Sequence, residues 1–329
     1  MNNSRRAFTT QLAGAAALAS LYPFAAHGHG IEQARIIAGF SPGGTIDSLA
    51  RRVADKMRGH YASSVVVDNR TGAGGQIAIQ GLKNATPDGT TLLATPMSML
   101  GIYPHTYRKL AYDPAADLAP VSLGVVFDFG FAVGPLVPAS VKNIDDFFAW
   151  CRANPTLANF GSPAAGSVPH FVGELIGRAG KVDLRHVAFR GTQPAILDMI
   201  GGQIAAVSGP VGEFLQHVQA GKARYLATTG TQRNRFAPNV PTLSEQGYKD
   251  LVFDEWFGFY LPAKTPAEIV NKANTAIRTA LAAPDVVEGL ATMGLEAKSS
   301  SPTELASLLK SALERWGPIV KKIGFTAET

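Results

Sequence analysis

Cysteine is nearly absent from this chain. Cys151 is the only one among 329 residues, so no disulfide can form within the chain. Ile144, Phe147, Phe148 and Cys151 follow the spacing of one helix face, which predicts a buried core position for the thiol. The histidines do not follow metal-ligand spacing, so we expect neither a metal site nor a cofactor.

Blocks of basic residues are also absent. The formal net charge is +5, and two of its arginines, Arg5 and Arg6, lie in a segment that we expect to be removed. Without them, 28 basic residues face 25 acidic ones, a net charge of +3. A charge this small and this dispersed does not indicate a nucleic-acid partner.

Long hydrophobic runs are missing after the N-terminus. At the N-terminus, Arg5 and Arg6 precede an apolar run over 12–21 and then small residues up to Gly28. This order predicts a twin-arginine export signal at 1–28 that is cleaved, with an uncleaved anchor as the alternative. No later segment has 18 consecutive apolar residues, so we expect a soluble periplasmic protein.

The familiar catalytic motifs are missing as well. The sequence contains no HExxH, CxxC or GxSxG motif, and no Walker lysine follows its first glycine loop. Ser167 and His170, with Glu174 one helical turn further on, form the one nearby pairing of nucleophile and base. We therefore expect no enzyme, and an exported hydrolase using Ser167 and His170 is the alternative.

Short apolar strands alternate with amphipathic helices along most of the chain. This alternation predicts parallel sheets covered by helices on both faces. Two long extended stretches, "APVSLGVVFDFGFAVGP" and "YKDLVFDEWFGFYLPAKTP", indicate that the chain crosses to a second domain and returns. We expect domain 1 at 31–127 plus 251–329, and domain 2 at 128–250.

Five loops rich in glycine and hydroxyl side chains each follow a strand and precede a helix. They cover 41–47, 95–98, 161–170, 190–193 and 208–213. In the first, Thr45 and Asp47 are suitable residue types for capping the helix that follows. Such loops offer backbone N–H groups and positive helix ends with few full charges, which suits a bound carboxylate.

Several segments, in this order and spacing, resemble the extracytoplasmic solute receptors of tripartite tricarboxylate transporters, also called Bug proteins. They include "FSPGGTIDSLAR", "VVVDNRTGAGGQIAIQGLKNATPDGTTLL", "NFGSPAAGSVPHFVGELI", "AFRGTQPAILDMIGGQI" and "WFGFYLPAKTP". The resemblance implies a type II periplasmic binding protein fold: two doubly wound α/β domains, joined by crossover strands, that close on a small organic carboxylate. It also implies membrane permease subunits as partners, and we expect a monomer.

The resemblance implies that the ligand carboxylate lies between the first βα loop of each domain, at 40–47 and 161–170. The loops at 95–98 and 190–193 would face the rest of the ligand. The candidate ligand-binding residues are Phe40, Pro42, Gly43, Gly44, Thr45, Asp47, Thr95, Ser98, Ser162, Ala165, Gly166, Ser167, His170, Arg190, Gly191, Thr192 and Ser208. A bulky residue at Gly43 is expected to abolish binding without unfolding the protein.

Some positions keep alternatives open. His170 either donates to the ligand or caps its own helix, and Arg190 either reaches a second carboxylate or points to solvent. "SGPVGEF" and "VVFDFGFAV" depart from the common family pattern, so Ser208, Asp128 and the neighbouring phenylalanines leave the ligand undecided. A ligand sensor that signals to another protein is a further alternative to a transport receptor.

Overall fold

The computed structural model describes residues 31–327, so the expected export signal at 1–28 lies outside the described residues. Ten strands are present in this part of the chain: β1 (Ile31–Ala38), β2 (Ala62–Asn69), β3 (Thr91–Pro96), β4 (Leu118–Val133), β5 (Asn159–Ser162), β6 (Arg185–Ala188), β7 (Ala206–Pro210), β8 (Arg224–Thr228), β9 (Asp254–Pro262) and β10 (Glu296–Ala297).

The helices of the described residues are α1 (Thr45–Met57), α2 (Gln76–Lys83), α3 (Tyr103–Thr106), α4 (Ile144–Ala153), α5 (Val168–Ala179), α6 (Thr192–Ile200), α7 (Leu215–Gln219), α8 (Ala267–Ala282), α9 (Pro284–Ala291) and α10 (Pro302–Ile323). Short 3₁₀ turns cover Ala73–Gly75 and Val211–Phe214, and a π-helical turn covers Ser98–Ile102.

The strands follow the order β2-β1-β3-β9-β4-β7-β5-β6, and β8 and β10 also pair with β4. The predicted parallel pairing is confirmed for β1 with β2 and β3, and for β5 with β6 and β7. The pairings of β4 with β7 to β10, and of β9 with β3, are antiparallel. The sheet is therefore mixed, because the two crossover strands run against the βα strands.

Strand β4 links two lobes. It pairs with β9 from Leu118 to Asp128 and then with β7 from Phe129 to Val133. We call β1–β3, β9, β10, α1–α3 and α8–α10 the first lobe, and β5–β8 with α4–α7 the second lobe. The domain borders expected at 128 and 251 stay a prediction.

Apolar faces of the helices cover the sheet. In α1, Leu49, Val53 and Met57 are fully buried, as the helical spacing predicts. The core position of Cys151 in α4 is also confirmed, since the residue is 2% exposed and burial raises the pKa of its thiol to about 12. A structural thiol of this kind is unreactive.

The C-terminal segment joins the first lobe to the second. Helix α10 begins with a capping box, in which the Ser301 hydroxyl accepts from the Glu304 N–H and the Glu304 carboxylate accepts from the Ser301 N–H. Beyond its end, the Phe325 ring contacts the rings of His170 and Phe171 in the second lobe, with centroids 4.8 and 5.5 Å away.

Candidate functional site

The loop between β1 and α1 is braced by its own side chains. Asp47 accepts hydrogen bonds from the Gly43 N–H, from Arg51 Nε and from Asn69 Nδ2, each at 2.9 Å. Burial raises the pKa of Asp47, but these hydrogen bonds, with Arg51 contributing most, hold it below its usual range. The carboxylate of Asp47 therefore shapes the loop from within.

The first turn of α1 is capped by the second lobe. Glu213 Oε1 accepts hydrogen bonds from the Thr45 N–H at 3.2 Å and the Thr45 hydroxyl at 2.8 Å. Gln193 Nε2 donates to Glu213 Oε2 at 3.3 Å. Burial raises the pKa of Glu213, and the hydrogen bonds from Thr45, Gln193 and Thr192 oppose that rise. A carboxylate from 168 residues away thus occupies the anion position of this helix.

This arrangement corrects the expected caps of α1. Gly44 is the N-cap, and no side chain caps the helix from that position. Thr45 is the first residue of the helix, and Asp47 bonds to Gly43, outside the helix. The sequence reasoning missed Glu213 because a cap from another lobe leaves no local spacing signal.

A second contact between the lobes joins the loops 39–44 and 189–191. The Ser41 hydroxyl donates to the Arg190 carbonyl at 2.8 Å. Gly191 has a φ of 134°, and a Cβ there would lie 3.3 Å from Ser41 Oγ. Glycine is needed at position 191 because its backbone conformation is one that side chains rarely adopt and because the opposite loop approaches closely.

A third contact joins β9 and the turn after β3 to the second lobe through Ser98. Glu255 Oε1 of β9 accepts from the Ser98 N–H at 2.7 Å. Ser98 Oγ accepts from the N–H of Val168, the first residue of α5, at 3.1 Å. Burial raises the pKa of Glu255 to about 7, against the hydrogen bonds from Ser98 and with a further upward contribution from Asp254.

These contacts surround a cavity between the lobes, with about 520 Å³ of empty space including its open side. Its apolar wall includes Phe40, Met99, Phe127, Phe129 and Phe257. Its polar groups include Thr45, Ser98, Thr192, Gln193, Glu213 and Glu255. Within the described part of the chain, the residues that line it include no Lys, Arg or His.

The structure places the candidate residues in three groups. Those that line the cavity are Phe40, Gly44, Thr45, Ser98, Ser167, Gly191 and Thr192. Ala165 and Arg190 line a neighbouring cavity, which shares Ala164 with the first. Those outside both linings are Pro42, Gly43, Asp47, Thr95, Ser162, Gly166, His170 and Ser208.

Gly43 is exposed, and a Cβ built on it meets no atom within 4 Å. The effect of a bulky residue there on ligand binding stays a prediction. What requires glycine at this position is a φ of 82°.

His170 lies in an aromatic cluster behind the cavity. It is 2% exposed, and its Nδ1 accepts from the Gly166 N–H at 2.9 Å, so it braces the loop before its own helix. Its ring stacks 3.8 Å from that of His186. Burial, with His170 nearby, lowers the pKa of His186 to about 3, so His186 is neutral at physiological pH.

The residues proposed for a hydrolase point to other partners. The Ser167 hydroxyl donates to the Ala164 carbonyl at 2.7 Å, and His170 Nδ1 is engaged by Gly166. Glu174 Oε1 lies 3.7 Å from His170 Nε2. A nucleophile must share a hydrogen bond with its base, and these side chains bond elsewhere.

No group of three or more His, Cys, Asp or Glu residues within 31–327 is arranged to hold a metal ion. Residues 31–327 also contain no helix that is long and apolar enough to cross a membrane.

Two α/β lobes with a cavity between them, linked by a crossover strand in the order β2-β1-β3-β9-β4-β7-β5-β6, form the architecture of the type II periplasmic binding proteins. The family model described as "TctC: Tripartite tricarboxylate transporter family receptor" matches residues 49–325. The chain therefore belongs to the tripartite tricarboxylate transporter receptor family.

Relatives agree with this assignment. The chain is 32% identical to a UPF0065 protein in the tcbD-tcbE intergenic region of Pseudomonas sp. strain P51, over 85% of this chain and 83% of that protein. It is 30% identical to protein BugT of Bordetella pertussis, over 88% of this chain and 89% of that protein.

Solved structures share the fold over nearly their whole length. The periplasmic binding protein BugD is 26% identical, with a TM-score of 0.84 over 93% of this chain and 100% of that one. Rpa4515 of R. palustris with adipate is 28% identical (TM-score 0.84, 90% and 98%). MatC of Rhodopseudomonas palustris with bound malate is 27% identical (TM-score 0.82, 88% and 99%).

Proposed function

We propose that this protein is a periplasmic receptor that binds a small organic carboxylate between its lobes and delivers it to a transporter permease. The observation that carries the proposal is the cavity closed by Ser41, Glu213 and Ser98 from opposite sides. Structures of related proteins contain adipate and malate, which supports a carboxylate as the ligand class.

The contacts between the lobes support the proposed delivery. Each such hydrogen bond forms only when the lobes are closed, so a ligand that adds further bonds across the cavity favours the closed form. A permease that recognises the closed form would then receive only loaded receptors. We propose export through the signal at 1–28, action as a monomer, and no catalytic step or cofactor.

A thermal-shift screen tests the ligand class. The purified chain is heated with small carboxylates and with the matching amides and methyl esters. At a hundred times its dissociation constant, a ligand of the folded state adds about 2.7 kcal/mol of stability. We expect a rise in melting temperature with an acid and none with its amide or ester; no rise with any acid would contradict the proposal.

Two other functions have their own tests. A hydrolase would turn over ester substrates and lose that turnover in Ser167→Ala, whereas we expect no turnover in either protein. A sensor would bind a signalling protein in its closed form. A pull-down with and without ligand, probed for permease subunits, distinguishes a sensor from a transport receptor, because only the transport receptor would capture the permease.

A further inference from the structure

The cavity contains two buried carboxylates of the protein itself. Glu213 is 5% exposed and Glu255 is 3% exposed, and both line the cavity. Among the described lining residues there is no cationic side chain to balance them. A ligand that brought two or three carboxylates into this space would add negative charge to a site that already holds two acids in a medium of low dielectric constant.

A cationic residue, Arg190, lines the neighbouring cavity and not the first one. Arg190 is exposed, and its carbonyl accepts a hydrogen bond from the Ser41 hydroxyl. In this structure Arg190 is not among the residues that line the first cavity, so a second ligand carboxylate would meet it in the neighbouring one. A ligand with one carboxylate does not need Arg190, whereas a ligand with a second carboxylate would use it. The variant Arg190→Ala therefore distinguishes the two.

The apolar wall is aromatic. The ring of Phe127 lies edge to face with those of Phe257 and Phe129, at centroid distances of 4.6 and 5.5 Å. Phe40 lines the same cavity and is half-buried. Faces and edges arranged in this way favour a flat ring over a flexible polar chain.

Glu255 keeps acceptor capacity for a ligand. A carboxylate offers about four acceptor positions, and Ser98 supplies the hydrogen bonds that the protein gives to this one. Burial raises the pKa of both Glu213 and Glu255, which reflects how poorly the cavity accommodates negative charge. A hydroxyl or amino group on the ligand would satisfy the remaining acceptor positions of Glu255.

We infer that the ligand is an aromatic acid with a single carboxylate and a hydroxyl or amino donor that reaches Glu255, an inference that rests on the proposed carboxylate receptor. The ring packs against the phenylalanine wall. The ligand carboxylate lies among the polar groups of the loops that line the cavity, and the donor group faces β9.

Isothermal titration with five acids tests this inference. The acids are 4-hydroxybenzoate, benzoate, terephthalate, adipate and citrate. At pH 8, where Glu255 is mostly ionised, we expect 4-hydroxybenzoate to bind about tenfold more tightly than benzoate, since its hydroxyl bonds to a charged acceptor. We expect terephthalate, adipate and citrate to bind at least about tenfold more weakly than 4-hydroxybenzoate, since they add charge.

Two variants connect the preference to named residues. Glu255→Gln removes one negative charge. It should reduce the ratio of the dissociation constants of terephthalate and 4-hydroxybenzoate by about tenfold. Phe40→Leu, at a half-buried position of the cavity wall, should weaken the binding of the aromatic acids and leave that of adipate unchanged. Glu288→Gln, an exposed acid on α9, is the matched control and should change none of the affinities.

The outcomes separate the inference from the proposed function. If adipate, citrate or terephthalate binds most tightly and Arg190→Ala abolishes that binding, the inference is overturned while the carboxylate receptor stands. If benzoate equals 4-hydroxybenzoate in the wild type, the donor assignment to Glu255 is wrong. If no acid binds to protein that circular dichroism shows to be folded, the proposed function itself fails.

Discussion

At the scale of single residues, the carboxylate of Glu213 occupies the position at α1 where an anion is most favoured. It accepts from both the N–H and the hydroxyl of Thr45, and its pKa is raised by burial. A ligand carboxylate entering the cavity meets this charge before it can use the same donors. Glu213 therefore competes with the ligand for the end of α1.

We expect Glu213→Gln to strengthen the binding of a carboxylate ligand by about tenfold, because a buried negative charge near the ligand is removed. The amide oxygen can still accept from Thr45. Isothermal titration at pH 7 measures the change, with Asp183→Asn on the surface of the second lobe as control. Weaker binding in Glu213→Gln would mean that the ligand donates to Glu213.

Glu255 makes stability depend on pH. Its pKa is about 7 in the folded protein against an ordinary 4.5, so the folded state holds more protons than the unfolded state between these values. Stability from this group is therefore lost as the pH rises through that window. The loss amounts to about 3 kcal/mol of unfolding free energy at pH 8.

The neutral variant Glu255→Gln lacks this titration. We expect its unfolding free energy, relative to wild type, to increase by about 3 kcal/mol between pH 4.5 and pH 8. Urea unfolding at both pH values measures the difference. A difference that does not change with pH would show that Glu255 titrates normally in the folded protein.

At the scale of secondary structure, α10 is the longest helix of the described residues, and it begins with a reciprocal cap between Ser301 and Glu304. The sequence "SPTE" has the pattern of such a cap. Helix α8 begins within the similar "TPAE", yet Pro266 is its N-cap and no side chain caps it. The same motif therefore caps one helix and not the other.

We expect Ser301→Ala to lower the unfolding free energy by about 1 kcal/mol, because the Glu304 N–H loses its acceptor. Ser307→Ala is a suitable control, since this exposed hydroxyl donates only to the Thr303 carbonyl of the same helix. Its change should stay within about 0.5 kcal/mol. Equal losses in the two urea unfolding curves would contradict the role of the cap.

At the scale of the whole molecule, the lobes are joined on two sides. The cavity side is closed by the bonds of Ser41, Ser98 and Glu213. Away from the lining residues, Arg178 donates to the Ile323 carbonyl at 2.6 Å, and Phe325 packs against the ring of His170. The C-terminal segment thus helps to hold the closed arrangement.

We expect Phe325→Ala to lower the unfolding free energy by about 1–2 kcal/mol, because a half-buried ring is lost. We also expect a larger radius of gyration without ligand in small-angle scattering. Thr326→Ala, an exposed neighbour in the same segment, should leave both quantities unchanged. An unchanged radius in Phe325→Ala would mean that this segment does not contribute to closure.

The sequence by itself determined the elements, because helix and strand periodicities are local properties of the chain. The helical spacing of α1, the core position of Cys151 and the βα units around β1 and β5 all follow from it. Of the candidate residues, Phe40, Thr45, Ser98 and others in the glycine loops do line the cavity.

Only the tertiary structure decided how the cavity is charged. Glu213 and Glu255 come from segments 168 and 157 residues away from their partners Thr45 and Ser98, so no spacing in the sequence connects them. Conversely, the sequence made His170 a candidate ligand-binding residue, but in the fold its ring packs against Phe171 and Phe325. Periodicity reports which face of an element is buried, whereas long-range packing decides which side chains meet there.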